Sequence, residues 1–274
     1  MSPNSYKRHN FYLNDSPAKT TYAEASSRAV PGKSWIKCRT IGVGSCPGQA
    51  LLPNSHYETL VETSDAWISK RTGIRSRHII EAGSSLRDIA VISAKEALQS
   101  SNTNPIDIDL VIVATSSPDD LFGDAASIAH AVGATNAAAF DITAACSGFV
   151  YGMVTASQFI NSGAYKKVLV VGADALTRFI DWKDRGTCIL FGDGAGAVVM
   201  EGTSEKEDSG LLGFALHSNG EGYCNLNLKY NSNFSELPNK EKTVVDQGSY
   251  GKMHMNGAEV YKFAVNTVSY LVCA

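Results

Sequence analysis

The chain has 274 residues, 44% hydrophobic and 19% charged, which places it in the globular class with enough apolar side chain for one large core or two smaller ones. A formal net charge of -3 gives no electrostatic ground for nucleic acid or an anionic membrane as the main partner. Six cysteines, at positions 38, 46, 146, 188, 224 and 273, form no CxxC pair and no metal-ligand spacing, so a reducing compartment without a disulfide framework is expected.

Residues 1–40 are rich in Ser, Thr, Asn, Lys and Arg, with Asp15 and Glu24 their only acids. They read as a disordered leader with the composition of an organelle transit peptide, and the apolar core of a secretory signal is missing. An ordinary unstructured N-terminus is the plainer alternative. From Ile41 the text turns into punctuated α/β: a short strand at 41–44, a loop with Pro47 and Pro53, and a helix-like segment at 57–62. Ser85 with Asp88 forms a capping box opening a helix through Leu98, with Leu86, Ile89, Ala90, Ala94 and Ala97 at helical spacing.

The runs at 110–114 and 168–171 are continuous and β-rich, as in strands covered on both faces by helices. Between them, residues 147–162 are apolar nearly all round (Phe149, Val150, Met153, Val154, Phe159, Ile160), which predicts an interior helix with Cys146 at its N-terminus. Two further strand-like runs, 188–191 and 195–200, flank Gly192-Asp193-Gly194, and the polar stretch 201–209 resembles a domain boundary. Residues 211–216 restart a strand, an irregular polar stretch follows to about Lys252, and Asn256 with Glu259 caps a last helix holding Val260, Phe263, Ala264 and Val268. None of the apolar runs is long and uninterrupted enough to span a bilayer.

Two segments invite a chemical reading. Gly192-Asp193-Gly194-Ala195-Gly196 matches neither GxGxxG nor GxxxxGK[ST], so a tight turn with close backbone packing is expected rather than a phosphate loop. At Ala144-Ala145-Cys146-Ser147-Gly148 a cysteine heads a helix, where unpaired amides favour thiolate and small neighbours leave room for an acyl group. The backbone amide of Cys146 can help bind a thioester oxyanion. Taken locally, a small buried hydrophobe is the competing reading of that cysteine.

The segment Asp141-Ile142-Thr143-Ala144-Ala145-Cys146-Ser147-Gly148-Phe149 resembles the active-site segment of β-ketoacyl-acyl-carrier-protein synthase III, in the thiolase-fold superfamily. Three other segments follow in the family's order. Thr63-Ser64-Asp65-Ala66-Trp67-Ile68 with Arg71-Thr72-Gly73-Ile74 resembles its coenzyme-A-binding segment; Asp184-Arg185-Gly186-Thr187 with Phe191-Gly192-Asp193-Gly194-Ala195-Gly196 resembles its later signature; and Met255-Asn256-Gly257 with Glu259-Val260-Tyr261-Lys262 matches a fourth. The resemblance implies an α/β, thiolase-like layered fold, with residues 41–208 forming a complete N-terminal half that carries the nucleophile and 209–274 an incomplete start of the C-terminal half. It implies an acyltransferase that initiates fatty-acid synthesis: Cys146 accepts an acetyl or short acyl group from coenzyme A, then condenses it with malonyl-acyl-carrier-protein. Trp67 would stack on adenine, Arg71 and Arg185 would reach its phosphates or ring face, and Thr63 would hydrogen-bond it. Gly257 and Tyr261 would line the same channel, and Phe122 would cross a homodimer interface to shape the acyl pocket. No metal or redox cofactor is implied, coenzyme A being a substrate carrier. Location would be plastid for a eukaryotic chain and cytoplasmic for a bacterial one.

The family also uses a histidine in a His-Gln-Ala-Asn segment and an asparagine in an Asn-x-Gly-Asn-Thr-Ser segment, and neither segment is present. None of the six histidines stands in such a context. Three readings follow: a shortened gene model or splice form of an active synthase, a chain capable only of acylating its own Cys146, or a non-condensing partner of a full-length synthase. An exposed apolar surface is expected from Leu211 onward. Thiolases, hydroxymethylglutaryl-CoA synthases and chalcone-type synthases share the fold and the helix-cap cysteine, and the Trp67/Arg71 context argues against them.

Overall fold

The computed structural model describes residues 37–203, 210–238 and 242–268. The leader up to residue 36 and the polar stretch 204–209 lie outside the described residues. Strand β1 is Lys37–Pro47, so it takes in residues 37–40, grouped with the leader by composition, and lengthens the expected strand at both ends. In chain order there follow β2 (Ala50–Pro53), α1 (Asn54–Tyr57), α2 (Asp65–Thr72), β3 (Ser76–Ile79), α3 (Leu86–Ser100), β4 (Leu110–Ala114), α4 (Ala125–Val132), β5 (Ala138–Ile142), α5 (Gly148–Asn161), β6 (Lys167–Ala175), α6 (Arg185–Cys188) and β7 (Asp193–Thr203).

A five-stranded sheet of order β1-β7-β6-β4-β5 organises these elements. β4 runs parallel to both β5 and β6, and β7 pairs antiparallel with β6 and β1. Successive strand side chains point to opposite faces, and the core divides accordingly. Val111, Val113, Leu169, Val171 and Val199 meet α3 and α4 through Ile89, Ala94, Ala97 and Ile128. Leu110, Ile112, Val168, Val170 and Met200 meet α5 through Ala156 and Ile160. Every residue of β4 is buried, which is why it reads as an unbroken apolar run with no alternation. The capping box forms as expected: Ser85 Oγ accepts the Asp88 N–H at 3.1 Å, and Asp88 Oδ2 accepts the Ser85 N–H at 2.9 Å.

Four expectations are corrected. The helix-like segment at 57–62 is a turn in which the Leu60 and Val61 amides both donate to the Tyr57 carbonyl; the helices are α1 before it and α2 after it. Residues 188–191 are not a strand, because Asp184 caps a helical turn there, accepting from the Gly186 N–H and the Thr187 hydroxyl. Residues 211–216 form no strand either: the Leu211 N–H bonds the Cys38 carbonyl, and Leu212 and Phe214 beyond it are exposed. Finally, α5 is not enclosed on all sides among the described residues; Ala156 and Ile160 face the sheet, whereas Val150 is 52% exposed.

Beyond residue 210, three short antiparallel ladders pair Leu226–Asn227 with His254–Met255, Tyr230–Asn231 with Ser249–Tyr250, and Phe234–Glu236 with Val244–Asp246. Helix α7, Gly257–Phe263, begins where Asn256 Oδ1 accepts the Glu259 N–H, as the sequence predicts. Tyr223, Phe234, Tyr261 and Phe263 are exposed, in line with the apolar surface expected here.

Candidate active site

Because β4, β5 and β6 are parallel, their C-terminal ends open on one edge of the sheet, where ligands of open α/β sheets bind. Cys146 follows β5 in a single 3-10 turn, Ala145–Ser147, that leads directly into α5. Ala145 has φ +47°, a left-handed conformation that costs a residue with a Cβ about 1–2 kcal/mol. Strain of this kind persists where the surroundings over-determine it, and here it turns the chain so that Cys146 is exposed at the head of the helix. No side chain caps α5, which leaves its first-turn amides directed at the same opening. Gly148 and Gly152 seat α5 closely: a Cβ at 152 would stand 2.9 Å from Val170 Cγ1.

A cleft of about 740 Å³ runs past Cys146, walled by Phe149, Gly172, Asp174, Asp193 and His78. Asp193 is 6% exposed and knits the wall, accepting from the amides of Ile80 and Thr177 and, at 2.6 Å, from the Thr177 hydroxyl. Before it, Gly192 has the close packing expected of that segment, since a Cβ there would come 2.7 Å from the His78 carbonyl, but the expected tight turn does not form, because residues 193–196 already pair within the sheet as the start of β7. Asp174, at the end of β6, accepts from the Ser116 N–H and the Ser117 hydroxyl, both at 2.9 Å, and burial pushes its carboxyl above the usual range. Ser116 in turn lies 3.4 Å, hydroxyl to hydroxyl, from Thr143, three residues ahead of the nucleophile. Sequence reasoning assigned no role to Asp174, Asp193 or His78; an acid shortly after the apolar run 168–171 is the one signal that marked Asp174. His78 Nδ1 is held 2.8 Å from the Gly48 carbonyl.

A second cluster forms around Trp67. Ser64 caps α2, its hydroxyl accepting the Trp67 N–H at 3.1 Å, and Gly73 ends the helix at φ +74°. The Arg71 guanidinium carbon lies 4.2 Å from the Trp67 ring centroid, and that of Arg185, arriving from α6, lies 4.8 Å away. Arg185 Nη1 also donates to the Glu62 carbonyl at 2.8 Å, next to Thr63. Thr63 Oγ1 is buried and has no hydrogen-bond partner among the described residues. An indole face, two cations and an unpaired buried hydroxyl suit an aromatic, phosphate-bearing ligand. Three expected residues thus converge, and the fourth, Thr63, follows the Glu62 carbonyl that Arg185 holds. No hydrogen bond or ring contact joins Gly257 or Tyr261 to them among the described residues; Gly257 opens α7, and Tyr261 is exposed on it. Phe122 stands 98% exposed on the loop before α4 and does not line the cleft.

A helix-heading cysteine at the ends of parallel strands, together with a cation-flanked indole elsewhere in the same chain, fits a condensing acyltransferase of the thiolase-like class. The family described as 3-oxoacyl-[acyl-carrier-protein (ACP)] synthase III matches residues 140–220. A β-ketoacyl-[acyl-carrier-protein] synthase III of Microcystis aeruginosa is 51% identical over 83% of this chain and 67% of its own. The chloroplastic synthase III of Arabidopsis thaliana is 48% identical over 84% of this chain and 59% of its own. In structure, the chain is similar to 3-oxoacyl-(acyl carrier protein) synthase III of Pseudomonas aeruginosa PAO1, with TM-score 0.72, 34% identity, and 84% and 67% of the two chains covered. The chain belongs to the β-ketoacyl-acyl-carrier-protein synthase III family.

Proposed function

We propose that the chain initiates fatty-acid synthesis by decarboxylative Claisen condensation of acetyl-CoA, or a short acyl-CoA, with malonyl-acyl-carrier-protein. The observation that carries this reading is Cys146, exposed on its strained turn at the mouth of the cleft, in a chain half identical to a named synthase III. Its thiolate attacks the thioester carbonyl, and the coenzyme A thiolate leaves and takes up a proton. Malonyl-carrier-protein then loses carbon dioxide, the enolate carbon attacks the Cys146 acyl carbonyl, and the thiolate is released. Thr63, Trp67, Arg71 and Arg185 receive the coenzyme A nucleotide, with Gly257 and Tyr261 further along its path. No cofactor takes part, since the thioester supplies activation and carbon dioxide loss drives bond formation.

Phe122 reaches the acyl pocket of a second copy in a homodimer, a role its exposure supports. A plastid location is supported by the leader composition and by the chloroplastic relative. The partner-only reading has no support in the comparisons.

Intact-mass analysis of the chain and of Cys146→Ala, after acetyl-CoA and again after malonyl-carrier-protein, tests both halves of the reaction. An acetyl adduct that requires Cys146 and is discharged as acetoacetyl product is expected. The absence of any adduct on folded protein overturns the assignment of the nucleophile. An adduct that malonyl-carrier-protein does not discharge overturns condensation by these 274 residues, which contain neither the histidine nor the asparagine segment of the family.

A further inference from the structure

The two halves of the Trp67 cluster come from short helices far apart in sequence, and a single side chain outside the cluster joins them. Arg77, on β3, is 4% exposed. Its Nη1 donates to Asn54 Oδ1 and its Nη2 to the Ile189 carbonyl, while its guanidinium lies 4.6 Å from the ring centroid of the fully buried Tyr57. No carboxylate pairs with it among the described residues. Asn54 is equally committed: its Nδ2 reaches Asp65 Oδ1 at 2.7 Å, Ser69 Oγ at 3.3 Å and the Ile74 carbonyl at 2.8 Å. Those three acceptors are the first residue of α2, its middle, and the residue just past its Gly73 end. Ile189 is the residue that closes α6, the helix carrying Arg185.

One planar fork therefore fixes α2, with Trp67 and Arg71, relative to α6, with Arg185. We infer that Arg77 is the positioning residue of the nucleotide platform, setting the spacing of Arg185 from the Trp67 ring; it borders the Cys146 cleft but makes none of the contacts to the indole itself. Guanidinium is suited to this because its donors diverge from one rigid plane, whereas an ammonium is a compact point charge on a flexible stem. Helices of eight and four residues do not hold their own geometry in water, so the spacing is imposed through Asn54 and Ile189. The inference rests on the reading of Trp67, Arg71 and Arg185 as the coenzyme A site.

The test compares acylation of Cys146 from acetyl-CoA with acylation from acetyl-pantetheine, which lacks the nucleotide, in wild type, Trp67→Ala, Arg77→Met and Arg77→Lys. Arg77→Met is expected to lower the acetyl-CoA to acetyl-pantetheine rate ratio about tenfold, chiefly through KM. General damage to the fold slows both donors in proportion and leaves the ratio in place, and that result overturns the inference. If Arg77→Met does not fold, Arg77→Lys, which keeps the buried cation but not the fork, is read by the same ratio. Should Trp67→Ala leave the ratio unchanged, the platform reading itself fails; should Trp67→Ala lower it while neither Arg77 variant does, the inference alone fails.

Discussion

Replacing Gly152 by alanine probes how tightly the helix behind the nucleophile is seated. In isolation the change should help, because alanine is favoured over glycine inside a helix by about 0.8–1 kcal/mol. Against this, the added Cβ would stand 2.9 Å from Val170 Cγ1, 3.6 Å from Ile142 Cδ1 and 3.8 Å from Ile112 Cγ2, all on the sheet beneath α5. Val170 is fully buried and β-branched, so it cannot swing clear, and overpacking of this kind costs about 1–3 kcal/mol. The balance is a net loss of about 1 kcal/mol, or a melting temperature lower by roughly 2–4 °C. Because α5 relieves the contact by lifting from β4 and β6, the turn at its head moves with it, and acylation of Cys146 by acetyl-CoA should slow several-fold. Urea unfolding and time-resolved intact mass read the two effects. A Gly152→Ala protein as stable as wild type or more so, with unaltered acylation, would refute the argument that contact with the sheet sets the position of Cys146.

Removing the α3 cap with Ser85→Ala should cost about 1 kcal/mol in urea unfolding with acylation of Cys146 intact, since both capping bonds lie away from the cleft. Asp193→Ala leaves two amides and a hydroxyl without their acceptor in a buried wall, and a loss of about 3 kcal/mol or more is expected, seen as a collapse of the melting temperature. Asp174 gives a pH signature: burial raises its carboxyl in the folded state above the unfolded value of about 3.9, so the folded protein holds more protons between those two values. Its contribution to stability therefore declines as pH rises through that window. Asp174→Asn keeps an oxygen for Ser116 and Ser117 and removes the titration. Its melting temperature relative to wild type should climb as pH rises above the unfolded carboxyl value of about 3.9; a constant difference counts against the assignment.

Some of this architecture was open to reading from residues alone. Ser85 and Asp88 announced α3 because a capping box is a local device complete within four positions. The 110–114 strand matched residue for residue because full burial on both faces leaves only an apolar run. The same logic misled at 188–191, where four apolar or polarisable residues have no period and Asp184, just upstream, decided for a helical turn. At 211–216 an apolar pattern met a sheet edge at only one amide, and pairing depends on a distant strand. In the site, the resemblance named Trp67, Arg71 and Arg185 together, whereas the approach of Arg185 to within 4.8 Å of the indole centroid is set by tertiary structure. Arg77 and Asn54 gave no sign, since burial of a charged residue is settled by what covers it. Ala145 was equally silent, left-handed backbone being betrayed in sequence mainly by glycine and asparagine.

The placing of β1 at one edge of the sheet has a consequence for how the chain is made. Its partner is β7, and the Arg39 and Glu201 side chains that meet across the pair are 162 positions apart. At a synthesis rate of about 5–20 residues per second, β1 waits roughly 8–30 s for the strand that completes it. During that interval a strand ready to pair, with an apolar side made for the core, is held only by whatever α3 can offer once it has emerged. The nascent polypeptide is then most open to capture by a chaperone or to misassembly with its neighbours on the same messenger.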